Sequence, residues 1–144
     1  MIDTAVHQTQ HASCVAVQGA GVLILGESGT GKSALSLQLL ALGAELVADD
    51  QTCLRVRGDT VWAFAPLATK GLIEARGVGI LRAGPTDPVE IAVVVDMDRF
   101  ETDRLPHAHE VEICGVRLPC LYQVEAPYFP AALMQYLKAG RRDP

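Results

Sequence analysis

The apolar positions of this chain come in short, β-branched runs separated by glycine-bearing breaks. Ser13–Val17 and Gly21–Leu25 are two such runs, split by Gln18-Gly19-Ala20, which predicts two strands joined by a tight turn. The period changes after a glycine-dense loop at 26–33. Over residues 33–42 (SALSLQLLAL), Leu35, Leu39 and Leu42 fall on one helical face with Leu40 alongside, and Gly43 supplies the stop. Glu45–Ala48 is a short apolar strand that runs into Asp49-Asp50. Thr52–Val56 and Thr60–Phe64 flank Arg57-Gly58-Asp59, a hairpin signature. Within it Trp62 and Phe64 alternate with Val61 and Ala63, a pattern of hairpin packing rather than of stacking on a base. Residues 66–84 are rich in glycine and read as loop, and residues 83–88 as a breaker. Ile91–Val95 is a wholly apolar strand ending at Asp96. Val111–Ile113 and Val116–Tyr122 predict a hairpin about Cys114-Gly115, Phe129–Leu137 a closing helix, and residues 140–144 a frayed tail. With no repeat and no low-complexity linker, residues 1–144 are expected to form one α/β domain.

Composition narrows the function classes. The chain has 144 residues, 12 Lys+Arg against 17 Asp+Glu and a net charge of −5, which opposes bulk affinity for nucleic acid or anionic membrane. Hydrophobic residues make up 49% and charged residues 20%, an ordinary globular balance. The longest apolar runs fall far short of the ~20 residues of a spanning helix, and the N-terminus Met1-Ile2-Asp3-Thr4 lacks the features of an export signal. Cys14, Cys53, Cys114 and Cys120 show no C-x-x-C spacing and lie in or beside apolar runs, as reduced thiols of a cytoplasmic protein do. His107 and His109 read as residues of an exposed loop beside Pro106.

Gly26-Glu27-Ser28-Gly29-Thr30-Gly31-Lys32-Ser33 carries the chemistry. It matches the G-x-x-x-x-G-K-S phosphate loop and has the required context, an apolar strand before and an amphipathic helix after. Glycines let successive backbone N–H groups converge on a phosphate, and the helix N-terminus adds its positive dipole end. Lys32 supplies a point charge to the terminal phosphates, and Ser33 offers a hydroxyl to Mg²⁺. Lysines are few (Lys32, Lys70, Lys138), so Arg76, Arg82 and Arg104 are candidates to share the neutralisation of a nucleotide.

A metal-binding carboxylate is also needed, and two places compete. Asp96 ends the longer apolar strand. Asp49-Asp50 ends the shorter one but supplies two groups, one for the metal and one to accept a proton from an attacking hydroxyl. A buried carboxylate beside a second carboxylate and a His is open to tuning toward useful basicity.

The order and spacing of these residues resemble the HPr kinase/phosphorylases of bacteria. The match runs over about residues 11–120: the His11-led strand HASCVAV, the loop GESGTGKS, Val47-Ala48-Asp49-Asp50, Gly71-Leu72-Ile73-Glu74-Ala75-Arg76-Gly77-Val78-Gly79-Ile80, and Asp103-Arg104-Leu105. The resemblance implies a P-loop kinase domain related to phosphoenolpyruvate carboxykinase, a mixed sheet with flanking helices, in a short form of the family limited to its C-terminal catalytic domain. It also implies phosphorylation of a serine of HPr or an HPr-like phosphocarrier of the phosphotransferase system, with ATP (or pyrophosphate) and Mg²⁺, and assembly as a hexamer. By the same resemblance Asp49 would be the general base, with His11 and Asp50 lining the transfer site. Ser33, Asp50 and Glu74 would serve the metal, and Arg76 and Arg104 the charge at the transfer centre. Residues 125–144 depart from the family pattern.

Two other classes use such a loop. A small-molecule phosphotransferase usually needs an arginine-rich lid, and no such insertion is visible. A non-catalytic nucleotide-sensing module would not need Asp49, Asp50 and His11 together.

Overall fold

In a computed structural model, which describes residues 7–143, ten strands and two helices follow one another. They are β1 Gln8–Val17, β2 Ala20–Leu25, α1 Lys32–Ala41, β3 Glu45–Ala48, β4 Gln51–Arg57 and β5 Thr60–Phe64. Then come β6 Leu72–Ala75, β7 Gly79–Arg82, β8 Val89–Phe100, β9 His109–Ile113, β10 Val116–Gln123 and α2 Phe129–Ala139. The mixed α/β class is as expected. The tight turns are where the sequence puts them: Gln18 and Gly19 (φ 51° and 81°) and Cys114 and Gly115 (φ 50° and 80°) are left-handed at both central positions, as two-residue hairpin loops require.

β2 is the pivot of the sheet. It runs antiparallel to β1 on one side and parallel to β8 on the other, and β8 runs parallel to β10. β1 is long enough to pair twice, with β4 along Gln8–His11 and with β3 along Cys14–Ala16. β4 and β5 form the predicted hairpin, and the pairs Trp62↔Glu90 and Ala63↔Val89 join β5 to β8. The strands β2, β1, β4, β5 and β8 thus pair in a closed circuit.

Strand alternation then builds two cores. Val15, Val17, Val22, Ile24, Val93 and Val95 face α1 and α2, where Leu35, Leu39, Phe129 and Leu133 cover them. Ala12, Cys14, Leu23, Leu54, Val61 and Val94 fill the second core on the opposite face. β8 carries one extra residue, Ala92, against β2, since Gly21 pairs Ile91 and Val22 pairs Val93. This bulge changes the face that its side chains present, which puts Ile91 in one core and Val93 in the other. α1 ends at Ala41, with Gly43 (φ 106°) left-handed behind it and the Gly43 and Ala44 N–H groups donating to Leu40 and Leu39 carbonyls. Leu42, expected on the apolar face, caps the helix and is 48% exposed.

Residues 66–84 depart most from expectation. Instead of a loop they hold a 3₁₀ turn at Leu67–Thr69 and the hairpin β6–β7, which pairs Leu72↔Arg82 through Ala75↔Gly79 as a separate two-stranded sheet. Ile73 and Ala75 are buried while Glu74 points outward. The alternation is in the sequence, but three glycines around it resemble loop punctuation. The cysteines are free. Cys14, Cys53 and Cys120 are buried, and burial pushes the Cys120 thiol up to about 11. Among the described residues no helix is long and apolar enough to cross a membrane.

Candidate active site

The phosphate loop leaves the carboxyl end of β2 and closes on the N-terminus of α1. Gly26, Gly29 and Gly31 have φ of 152°, 87° and 98°, a region L side chains avoid. Gly26 has no space either, since a Cβ there would lie 2.5 Å from Thr30 Oγ1. Lys32 is the helix's first residue and is only 6% exposed. Its Nζ donates to the carbonyls of Gly26 at 2.7 Å and Glu27 at 3.0 Å, which holds the ammonium at the loop's opening turn. Glu27 N–H donates to Asp98 Oδ1 at 3.0 Å, so the neighbouring strand β8 braces the loop from outside. Asp98 was not among the residues the sequence pointed to, because its link to the loop crosses 71 positions.

The carboxylates come from the bend between β3 and β4, which faces β1. Ala12 N–H donates to Asp50 O at 3.0 Å, and His11 pairs with Gln51, so β1 lies alongside the bend. His11 and Ser13, two residues apart, share one face of β1. The two aspartates part company here, because Asp50 is left-handed (φ 68°) and turns the chain sharply. Asp49 Oδ1 accepts from Ser33 Oγ at 2.7 Å and Ser13 Oγ at 3.1 Å, and its Oδ2 accepts from Glu74 N–H at 3.1 Å. Asp50 Oδ1 instead accepts from His11 Nε2 at 2.8 Å. Asp49 is half-buried, whereas the Asp50 side chain is 64% exposed and His11 41%. The adjacent carboxylates are therefore one half-buried and one open.

A cleft of about 550 Å³ collects the rest. Ser28, Gly29, Gly31, Lys32 and Ser33 form one wall, and Asp50, Glu74 and Arg76 face them. Glu74 and Arg76 arrive through the hairpin missed in the sequence: Glu74 projects from β6 and Arg76 from its turn. The donors near Ser33 are all oxygens, from Ser33, Asp49, Asp50 and Glu74. That set suits Mg²⁺, which keeps waters and phosphate oxygens in its shell and is held by one or two carboxylates. Among the described residues no three His, Cys, Asp or Glu side chains form a preformed metal cage.

Asp96 and Arg104 stand outside this cleft. Asp96 lies within β8, which runs on to Phe100. It accepts from Asp98 N–H at 2.9 Å and sits 3.6 Å from Arg99 Nε. Arg104 is exposed in the segment between β8 and β9. Glu101 ties that segment down: it accepts from Thr102 and Asp103 N–H and from His109 Nε2 at 2.8 Å. His109 is thus a half-buried strand residue stacked on Tyr122 (4.0 Å, 13°), not part of an exposed loop. Burial raises the Glu101 carboxyl, but the His109 and backbone bonds outweigh it and hold the group below its ordinary value. A lowered carboxyl stabilises the fold fully above its unfolded pKa, and the effect is lost as pH falls through the folded one. Glu101→Gln is therefore expected to cost about 1 kcal/mol at pH 7, with the gap to the parent closing below about pH 4. Urea melts at both pH values read it.

Strand, phosphate loop and helix, with carboxylates at the mouth, define a P-loop α/β domain. Comparison narrows the class. Residues 3–122 match the family model of the HPr serine kinase C-terminal domain. The HPr kinase/phosphorylase of Caldicellulosiruptor bescii is 39% identical over 126 residues, covering 78% of this chain and 40% of that protein. That of Streptococcus uberis is 34% identical over 122 residues, covering 76% and 39%. The solved Hpr(Ser) kinase/phosphatase of Coxiella burnetii superposes with a TM-score of 0.78 at 25% identity, over 91% of this chain and 94% of that one. The chain belongs to the HPr serine kinase C-terminal domain family and has its fold. It spans about two fifths of the length of the curated relatives it matches.

Proposed function

We propose that this chain is a cytoplasmic protein-serine kinase that moves the γ-phosphoryl group of Mg²⁺-bound ATP onto a serine of the phosphocarrier HPr or an HPr-like protein. In reverse, inorganic phosphate takes the phosphoryl group from phosphoserine and leaves as pyrophosphate. One observation carries the reading: Asp50, hydrogen-bonded to His11, opens into the same cleft as Lys32 and Ser33. The names of the relatives supply the acceptor.

The two carboxylates divide the work in the opposite sense to the family-based expectation. Asp50 is the general base. It is accessible, lines the cleft, and is oriented by His11, so an incoming serine hydroxyl meets it first. Asp49, bonded to Ser33, holds the metal-binding hydroxyl in place. Mg²⁺, when bound, would neutralise charge on the β- and γ-phosphates, with Ser33, Asp49 and Glu74 holding it. Lys32 and the N–H groups at the loop's turn into α1 bind the phosphates, and Arg76 offsets charge at the transfer centre. Arg104 does not line this cleft. Assembly as a hexamer rests on the family resemblance and is read by mass photometry.

The direct test is mass spectrometry of HPr from the same organism after incubation with the protein, Mg²⁺ and ATP. One phosphoryl group on a serine, removed on adding phosphate with release of pyrophosphate, is the expected result. Bound nucleotide with no modified HPr would overturn the acceptor assignment.

A further inference from the structure

A second recess flanks the first turn of α1. It is about 280 Å³ and lies on the side away from Asp50 and Arg76. Gly31 and Ala34 line both spaces, so the phosphate loop is their shared wall. We propose that this recess seats the nucleoside of the phosphoryl donor, and that its outer wall is a C-terminal segment outside the part of the chain the family model covers.

Direction comes first. The P-loop lysine reaches the β- and γ-phosphates and the loop amides cradle the α- and β-phosphates. The γ end must face Asp50, where the acceptor hydroxyl arrives with its own protein backbone, so the larger cleft is taken by the acceptor. The donor's other end must leave the loop elsewhere. β2, β8 and β10 run parallel, and ligands of such sheets lie in the crevice beyond the strands' carboxyl ends. The recess is in that crevice, with Thr30 after β2, Met97 near the end of β8 and Gln123 closing β10.

Its chemistry suits a flat heteroaromatic group with a polar rim. Met97 and Phe129, both largely buried, floor the recess with a thioether side chain and an aromatic one. Gln38 and Gln123 give amides at the edge, and Gln123 is held in register by its Nε2 donating to Met97 O at 2.8 Å. No lysine or arginine lines the recess, so it does not compete with the loop for phosphate. Its volume sits at the small end of ligand pockets, ~300 Å³, which is enough for part of a ligand rather than all of one. The wall is firm: Ala126 N–H donates to Val124 O, Phe129 N–H to Ala126 O, and Phe129 is buried against the core under α1. Residues 123–130 lie beyond the matched 3–122. The segment that departs from the family pattern would therefore set which nucleoside, if any, the donor carries.

The proposal rests on the phosphoryl-donor reading of the loop, and the experiment separates the two. Calorimetric titrations compare Mg–ADP with Mg–pyrophosphate on the unaltered protein, Gln38→Trp and Ala126→Trp, both of which fill the recess from accessible positions. Mg–ADP should weaken at least tenfold in both variants and Mg–pyrophosphate should stay within twofold, which also shows that the variants fold. Equal weakening of both ligands, or of neither, overturns the nucleoside site. Pyrophosphate binding without ADP binding on the unaltered protein overturns it while leaving the donor loop intact, and failure of both ligands removes both readings. A substitution-free measurement stands beside these. Transferred NOEs from the base protons of ADP should reach the Met97 methyl, and NOEs to Val78 in the larger cleft instead would sink the proposal.

Discussion

Asp50→Asn is expected to slow phosphoryl transfer to the acceptor serine by about 10³-fold, within the range of a lost general base, while Mg–ADP affinity stays within about twofold. The substitution is clean in structure. Asp50 is left-handed at φ 68°, and Asn is among the few residues that accept that conformation readily. The side chain is 64% exposed, so exchanging a carboxylate for an amide leaves no buried group unpaired. What it removes is the proton acceptor facing the cleft. Asp49→Asn should behave differently. Its Oδ1 can still accept from Ser33 and Ser13, but an amide nitrogen in place of Oδ2 would confront the Glu74 N–H, donor against donor, at 3.1 Å. That should shift β6, and Glu74 with it, and raise the Mg²⁺ concentration needed for half-maximal rate. Single-turnover rates against Mg²⁺ concentration separate the two variants. An Asp49→Asn enzyme that binds Mg²⁺ normally but transfers nothing, beside an active Asp50→Asn, would return the base to Asp49.

The division of labour proposed for Asp49 and Asp50 was not legible in the sequence, and the reason is local. Adjacent aspartates at a strand end differ only in what the following bend does with them, and the left-handed turn at Asp50 is fixed by pairing with β1, 39 residues away at His11. The phosphate loop was legible because everything it needs is contiguous, from the strand through the glycines and Lys32 to the helix. The hairpins about Gln18-Gly19 and Cys114-Gly115 were legible for the same reason. Glu74 could be placed in the site only through the family resemblance, and Arg76 stood before it only as one of three candidate arginines, since Gly71, Gly77 and Gly79 disguise the strand alternation of Ile73 and Ala75. Non-local features left the least trace. The circuit closes through two residue pairs between β5 and β8, and Asp98 braces the loop from a neighbouring strand. His109 looked like a loop residue because its partners, Glu101 and Tyr122, lie on other segments.

Lys32→Ala is expected to weaken Mg–ADP binding at least about 100-fold and to lower transfer by about 10³-fold or more, since a cation aimed at the developing charge of the transferring group is lost. Lys32→Arg should fail nearly as badly, although it keeps the charge. In the native loop Lys32 is 6% exposed and its ammonium lies 2.7 and 3.0 Å from two carbonyls, those of Gly26 and Glu27. A compact ammonium with three donors meets both carbonyls and still has one donor for phosphate. A planar guanidinium is wider, and the loop cannot open to admit it, because Gly26 already packs against Thr30 and Met97 and Glu27 is tied to Asp98. Both variants should keep a Tm within a few degrees of the parent, as α1 is anchored by Leu35 and Leu39 rather than by the loop. Calorimetry with Mg–ADP and a thermal melt decide the matter together. Lys32→Arg with normal binding would mean that charge alone, and not the two-carbonyl cradle, makes this loop a phosphate site.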